Sequence, residues 1–300
     1  MRKRKKSRPH ARNAGKRGNL RPRRHGFSVC SCSGRKSEKA APGESGSAGS
    51  SWSQPLCAIR MPYAMESPMP VPCPTGFVVK NAELIADGEK FDETTREAAL
   101  AAALLHDTGR YEQLKLYNTF RDSESVDHAV FSHDIVKEKG WLDGVCPDAA
   151  TRDAVLKAVL YHNRREIPDG LDALTEACSH TVRDADKLDI FRVLEDQVEH
   201  TDWRTDSRAF WNLAVNDPPN PAVLDCIERR LPVDYQHIKS LSDFVLIQVG
   251  WMISGLRYAT SRRLCRERGH LEFRRNFLHK LTDDPSIDRV CDIAADWLVK

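Results

Sequence analysis

The sequence lacks any apolar run long enough to cross a membrane. The longest one, Phe244 to Leu256, is interrupted by Gln248, whereas a transmembrane helix needs about 20 predominantly apolar residues. Glycine and proline number 16 each in 300 residues, which excludes collagen-like and wholly low-complexity chains. Strand-like alternation and internal repeats are also missing. We therefore expect a helical globular protein with no membrane partner.

The chain also lacks a secretory leader and paired cysteines. No apolar segment follows the basic N-terminus, as a secretory signal requires. The nine cysteines are odd in number and scattered, a pattern typical of reduced thiols. These features predict a cytoplasmic location.

Charge is distributed unevenly along the chain. Residues 1–40 contain 15 Lys or Arg and one acidic residue, whereas residues 41–300 contain 31 basic and 42 acidic residues, so that a segment of charge +14 precedes a body of charge −11. Residues 1–73 have no sustained apolar period and are predicted to be disordered. One reading of the segment is a solvated tail, and a less favoured one is weak electrostatic binding to nucleic acid or an anionic surface. A biological start at Met61 or a later methionine is an alternative reading of the segment.

Helical spacing of apolar residues begins near residue 75 and continues to the end of the chain. The predicted architecture is all-α, with a helical bundle over residues 74–200 and a helical extension over residues 201–300 packed on it. The expected core includes Leu104, Leu105, Val159, Leu160, Ile190 and Val193.

Two helix starts carry capping signals. Thr94 and Glu97 have the spacing of a capping box, and Asp148 precedes a later helix as a predicted N-cap. The helix that follows the first signal, Ala98 to Leu105, is almost wholly apolar and is predicted to be central in the bundle.

The same dipeptide, His-Asp, occurs twice. His133-Asp134 lies inside an amphipathic helix and is interpreted as a solvated surface pair. His106-Asp107 ends the buried helix, where an ionised carboxylate is costly unless it is paired or bound to metal. From this pair alone, helix capping remains an alternative to metal binding.

Three further polar side chains lie on faces that are expected to be buried. His128 opens a helix, His162 ends one, and Asp186 lies within a long helix. Each of them singly could be a satisfied core polar group. Together with the first doublet they place imidazole or carboxylate on four separate helices, and this donor chemistry suits a divalent ion such as Mn, Fe, Zn or Mg.

The order and spacing of these motifs resemble those of the HD-domain metal-dependent phosphohydrolases over about residues 75–200. The motifs are Leu104-Leu105-His106-Asp107, His128, His162-Asn163 and Ala185-Asp186-Lys187-Leu188. The resemblance implies an all-α HD-domain bundle with a divalent metal on His106, Asp107 and Asp186. It also implies that His128 and His162 line the pocket or hold a second metal.

One ligand implied by the resemblance is missing. The family has a further histidine near the start of its first helix, at the position where this chain has Pro74. Three protein ligands and water can still hold a catalytic metal, so we expect a phosphohydrolase. The alternative is a degenerate regulatory or binding module that keeps the fold and lacks turnover.

The predicted reaction is hydrolysis of a phosphoester. A divalent ion lowers the pKa of bound water toward about 7 and neutralises phosphate charge, and Asp107 is the expected catalytic residue that orients the water. Arg110, Lys115, Arg121 and Arg164 lie next to the motifs and are candidate phosphate ligands. Arginine can form two hydrogen bonds with one phosphate, and Arg110 and Arg121 are the favoured pair. The acidic body disfavours nucleic acid and favours a nucleotide or other small phosphorylated metabolite. The oligomeric state is left open.

Overall fold

The fold is seen in a computed structural model that describes residues 74–206, 210, 212–215 and 217–300. Helix follows helix through these residues, and no strand is present among them; a single isolated β-bridge joins Ala214 to Ser240. The predicted all-α class is confirmed. Residues 1–73, predicted to be disordered, lie outside the described residues. No helix in the described part of the chain is long and apolar enough to span a bilayer.

The helices fall into an earlier and a later group. The earlier group is α1 (Pro74–Gly88), α2 (Glu93–Leu105), α3 (Gly109–Tyr117), α4 (His128–Glu138), α5 (Ala149–Tyr161) and α6 (Ala173–His200). The later group is α7 (Pro221–Glu228), α8 (Leu241–Ser254), α9 (Ala259–Glu267), α10 (His270–Leu281) and α11 (Ser286–Leu298). Short 3-10 turns occur at Asp122–Glu124 and Tyr235–His237.

Helix α2 begins two residues earlier than its sequence signal indicates. Asp92 is the N-cap, and its carboxylate accepts a hydrogen bond of 2.9 Å from the backbone N–H of Thr95. The capping box predicted at Thr94 and Glu97 is therefore wrong, because an upstream Asp already satisfies the free amides of the first turn. Asp148 caps α5 as predicted, accepting from the backbone N–H of Thr151 at 2.8 Å.

Helix α6, with 28 residues, is the centre of the bundle. It packs against α1, α2 and α5, and also contacts α9 and α10. Its buried stripe includes Val182, Ala185, Leu188 and Phe191, all with no exposed surface. Side chains on one side of this stripe therefore lie close to the C-terminal ends of α2 and α5.

The predicted core is confirmed in part. Leu105 and Val159 are fully buried, whereas Leu104, Leu160 and Ile190 are half-buried. The prediction for Val193 is wrong, since its surface is 39% exposed. Asp186 and Ile190, on the same side of α6, line a cavity, so this side of the helix follows the cavity and then reaches solvent at Val193.

The later helices are joined to the bundle by a shared core and by a buried arginine. Met252 and Leu256 belong to the same apolar cluster as α1, α2 and α6. Arg274, on α10, is completely buried and donates to the carboxylate of Glu195 at 2.8 Å and to the carbonyl of Phe191 at 2.9 Å. The C-terminal helices thus pack on the bundle, while the domain division at residue 200 stays a prediction.

Candidate metal centre

His106 is held at the C-terminal end of α2 in a fixed orientation. The ring is buried, and its Nδ1 lies 2.8 Å from the carbonyl oxygen of Ala103. That nitrogen donates to the carbonyl, so Nε2 points the other way. Nε2 lies 3.6 Å from Asp107 Oδ2 and 3.7 Å from Asp186 Oδ1, both longer than a hydrogen bond.

The two carboxylates make this point strongly negative. Burial raises the pKa of Asp107, but His106, His162 and Arg110 hold it well below its usual range. Burial also raises the pKa of Asp186, and His106 outweighs it, so the pKa is lowered. Burial lowers the pKa of His106, but the two carboxylates raise it to about 9. The cluster attracts positive charge. A proton on His106 supplies such a charge, and a bound metal cation would supply it equally.

His128 and His162 meet beside this point. Their Nε2 atoms are 3.0 Å apart. His128 Nδ1 lies 2.5 Å from Asp122 Oδ2, and His162 Nδ1 lies 2.7 Å from the carbonyl oxygen of Val159. Because each Nδ1 faces an acceptor and donates to it, the two Nε2 lone pairs face each other. Such a pair needs a shared proton or a metal cation between the rings.

Asp107 joins the two halves of the cluster. Its Oδ1 lies 3.6 Å from the Nε2 atoms of both His128 and His162, while Oδ2 faces His106. Oδ1 is buried and has no hydrogen-bond partner among the described residues. A buried acceptor without a partner typically costs about 1–3 kcal/mol, and more when it is charged.

These atoms fit a divalent ion. Ligand bonds of about 2.0–2.2 Å place neighbouring ligand atoms roughly 2.8–3.6 Å apart in octahedral or tetrahedral geometry. The separations among Asp107, His128 and His162, 3.0 and 3.6 Å, fall in that range. The separation of 3.7 Å from His106 to Asp186 lies just above it. The atoms of Asp107, His128 and His162 all lie within 4.8 Å of one another and can serve a single ion, as can those of Asp122, Asp127 and His128. The predicted set of His106, Asp107 and Asp186 does not meet that criterion. Three imidazoles with two carboxylates suit borderline and hard cations.

A glycine lets the turn after α2 approach the first residues of α4. Gly109 lies two residues after Asp107, and its N–H donates to Ser132 Oγ at 2.8 Å. A Cβ at this position would lie 2.7 Å from the Ser132 nitrogen and 3.0 Å from the His128 carbonyl oxygen. The backbone of the turn therefore touches α4 directly, which places His106 and Asp107 next to His128.

Asp122 is a supporting residue that the sequence did not single out. Besides His128, its carboxylate accepts hydrogen bonds from Arg110 at 3.1 Å and Gln113 at 3.0 Å. An acceptor on Nδ1 fixes the ring and raises the basicity of Nε2. Asp122 lies in a polar connection between helices, where the sequence has neither a helical nor a strand period. No local sequence pattern could therefore have identified it.

The cluster opens into a cavity of about 200 Å³. His128, His162 and Asp186 form its polar end, and Ile190 and Trp251 form apolar wall. The later part of the chain contributes to the same cavity. Its contributions are Pro232, Val233, Tyr235, Trp251, Ser254 and Gly255.

The structure separates the four cations that were considered as phosphate ligands. Arg110 lines the cavity, with Nη2 3.2 Å from His128 Nε2. Arg164 lines it too and pairs with Asp127 at 2.9 Å. Arg121 does not line the cavity, and its guanidinium pairs with Glu124 at 2.8 Å. Lys115 is exposed on α3. The favoured role of Arg121 is therefore not supported by its position.

Comparison with protein families agrees with the geometry. The family model described as HD domain matches residues 77–190. Residues 77–190 are an HD domain. The HD domain contains every histidine and carboxylate of the cluster and ends within α6, so the later helices and Pro74 lie outside it. Neither a curated protein nor a solved structure matches the chain. The HD-domain fold is that of metal-dependent phosphohydrolases.

Proposed function

We propose that this chain is a metal-dependent phosphohydrolase that acts on a nucleotide or another small phosphorylated metabolite. The observation that carries the proposal is Asp107 Oδ1, a buried carboxylate oxygen without a hydrogen-bond partner in the described chain. It lies 3.6 Å from two imidazole nitrogens and 3.5 Å from Arg110 Nε, and none of the three forms a hydrogen bond with it. An ionised oxygen in that position is explained best by a cation that the cluster is built to hold.

His106, Asp107 and Asp186 would hold the ion, with His128 and His162 completing its shell or holding a second ion. A divalent cation supplies Lewis acidity that acidifies water and neutralises phosphate. Asp107 accepts a hydrogen bond from the attacking water and so orients it. Hydrolysis then forms a bond from the water oxygen to phosphorus, breaks the ester P–O bond and leaves a proton on the departing oxygen.

Arg110 would hold the scissile phosphate. The carboxylate of Asp122 at 3.1 Å and the carbonyl of Phe120 at 2.8 Å orient its guanidinium. Nη2 reaches His128, and Nε lies 3.5 Å from Asp107 Oδ1. A preorganised arginine beside the carboxylates offsets the negative charge that a phosphate brings.

A small substrate fits the shape and charge of the site. The cavity is about 200 Å³, and the body of the chain, residues 41–300, carries a net charge of −11. A negative surface repels long nucleic acids. Local cations at the cavity can still attract a compact phosphate ester.

The test is phosphate release from a panel of nucleotides and simple phosphate esters by the full chain. We expect release with added Mn²⁺, Mg²⁺, Fe²⁺ or Zn²⁺ and none with a chelator. Asp107→Asn keeps the shape of the side chain and should abolish release. Release that survives both chelation and Asp107→Asn would overturn the proposal.

Pro74 favours a second candidate, a regulatory HD domain that binds ligand without turnover. Pro74 is the first residue of α1, at the position where the resemblance implies a ligand histidine. This candidate predicts a purified protein poor in metal and no release from any substrate in the panel.

A further inference from the structure

Five cationic side chains line the cavity, and they differ in what neutralises them. Arg110 pairs with Asp122 at 3.1 Å, Arg164 with Asp127 at 2.9 Å and Arg165 with Asp234 at 4.0 Å. The other two are Arg183 and Lys187. Neither of these has a carboxylate within 4.0 Å among the described residues.

The hydrogen bonds of Arg183 and Lys187 go to backbone carbonyls. Arg183 Nη2 donates to the carbonyl of Arg165 at 3.0 Å, and Lys187 Nζ donates to the carbonyl of Arg183 at 3.4 Å. The nearby carboxylate of Asp184 is already occupied by the backbone N–H groups of Arg257 and Tyr258, each at 3.0 Å. Both cations are thus oriented by the fold without a carboxylate in ion-pair contact.

Their spacing makes this arrangement unfavourable for stability. Arg183 and Lys187 stand four residues apart on α6, where like charges repel. Both are half-buried, and burial removes part of the hydration that would stabilise them. Cationic side chains that form no ion pair and lie beside a cluster of metal-type ligands are what an anion-binding site requires.

Arg183 also stands where two cavities adjoin. A larger cavity of about 510 Å³ shares part of its wall with the one that holds the histidines. The shared residues are Arg165, Arg183, Pro232, Ser254 and Gly255. A volume of that size falls in the range of small-molecule sites, so a ligand that reaches the metal cluster has room to extend past Arg183.

Resting on the proposed function, we infer that Arg183 and Lys187 form a second anion subsite, and that the substrate carries a second phosphate group beside the scissile one. The scissile phosphate lies toward Asp107 and Arg110, and the second phosphate lies between Arg183 and Lys187, the two cations without an ion pair. The substrate class is a diphosphate or bisphosphate ester, with its organic part directed into the larger cavity.

The experiment compares two probes that water cannot cleave, methylphosphonate and methylenediphosphonate, by calorimetry on the metal-loaded full chain. We expect wild type to bind the diphosphonate more tightly. Arg183→Gln and Lys187→Met should each weaken diphosphonate binding by about tenfold or more, the loss typical of a hydrogen bond between charged groups. Methylphosphonate binding should change by less than about twofold.

Three controls accompany these variants. Arg263→Gln removes one positive charge from an exposed pair with Glu267 and should leave both affinities unchanged. Lys187→Arg retains the charge and should retain most of the diphosphonate affinity. Metal content and melting temperature should stay at the wild-type level in every variant, which separates loss of the subsite from loss of the fold.

Unchanged diphosphonate binding in Arg183→Gln and Lys187→Met would overturn the inference, as would an equal loss for both probes or a loss in Lys187→Arg as large as in Lys187→Met. Absence of diphosphonate selectivity in wild type would overturn it as well. The readout does not depend on turnover. Selective binding without phosphate release would therefore leave the subsite and reject the proposed function, and phosphate release without selectivity would do the opposite.

Discussion

The chain contains the dipeptide His-Asp twice, and the two copies have opposite environments. His106 is 2% exposed and faces two groups from other parts of the bundle, the carboxylate of Asp186 and the imidazole of His162. His133 belongs to a solvent-facing side of α4, where its Nδ1 pairs with the adjacent Asp134 at 2.9 Å and the Asp134 side chain is 54% exposed. The dipeptide itself therefore carries no function; its position at the buried end of a helix does.

The environment also decides what each carboxylate can do. The carboxylate of Asp134 is hydrated, so its charge is already stabilised by water and by His133. Asp107 has lost water on one oxygen and has gained no hydrogen bond there. A bound cation therefore stabilises the Asp107 carboxylate much more than the Asp134 carboxylate, since Coulomb attraction is weakly screened between buried groups.

The largest expected difference between the doublets is in catalysis. Asp107→Ala should lower phosphate release by at least about 100-fold, because losing a metal ligand exceeds the roughly 10–100-fold effect of losing a supporting group. Asp134→Ala should stay within about twofold of wild type. Steady-state phosphate release measures both. Equal losses in the two variants would show that the two doublets do not differ in their contribution to catalysis.

The next effect concerns the acceptors that stand behind the histidines. Asp122 and Asp134 both accept from a histidine Nδ1, but only His128 then aims Nε2 at the cluster. Asp122→Asn should weaken metal affinity by about 10–100-fold. The measurement is competition with a metal chelator, with Asp134→Asn as the matched control. Wild-type affinity in Asp122→Asn would mean that His128 is not a ligand.

A smaller effect is expected from adding a ligand. Pro74→His restores a histidine at the start of α1, a helix that packs against α2 and α6. Metal affinity and phosphate release should rise together, by roughly tenfold. If neither changes while Asp107→Ala still removes activity, position 74 does not face the site and the native design has three protein ligands.

The smallest expected effect is on stability. Gly109→Ala places a methyl group against the backbone of α4, and strain of this kind typically costs about 1–3 kcal/mol in free energy of unfolding. Gly76→Ala, where a Cβ would meet nothing within 4 Å, should leave stability unchanged or slightly raised. Urea denaturation measures both. A neutral Gly109→Ala would show that the turn can relax without that contact.

Much of the cluster could be predicted from the sequence, because its histidines and acids other than Asp122 lie at a helix terminus or interrupt an apolar stripe. Asp107 and Asp186 were visible as acids where a core was expected. Asp148 could be predicted as an N-cap because no neighbouring residue competes with it for the free amides of α5. Asp92 displaced the capping box at Thr94 because two caps compete for the same amides.

Other features needed the tertiary structure. The sequence does not show whether Arg121 or Arg183 forms an ion pair. In the structure Arg121 pairs with Glu124, whereas Arg183 has no carboxylate within 4.0 Å among the described residues. Val193 continues an apolar stripe of α6, but that side of the helix follows a cavity instead of a packed core. The contribution of Tyr235 and Trp251 to the cavity depends on how the later helices pack, which no local pattern encodes.

Equilibrium binding of Mn²⁺, followed by electron paramagnetic resonance on the full chain, tests the central claim most directly. The account predicts that wild type and Asp134→Ala bind Mn²⁺ with the same affinity and stoichiometry, and that Asp107→Ala loses the tight site. Equal binding in the two variants, whether retained in both or lost in both, would contradict the claim that the buried doublet is the metal centre.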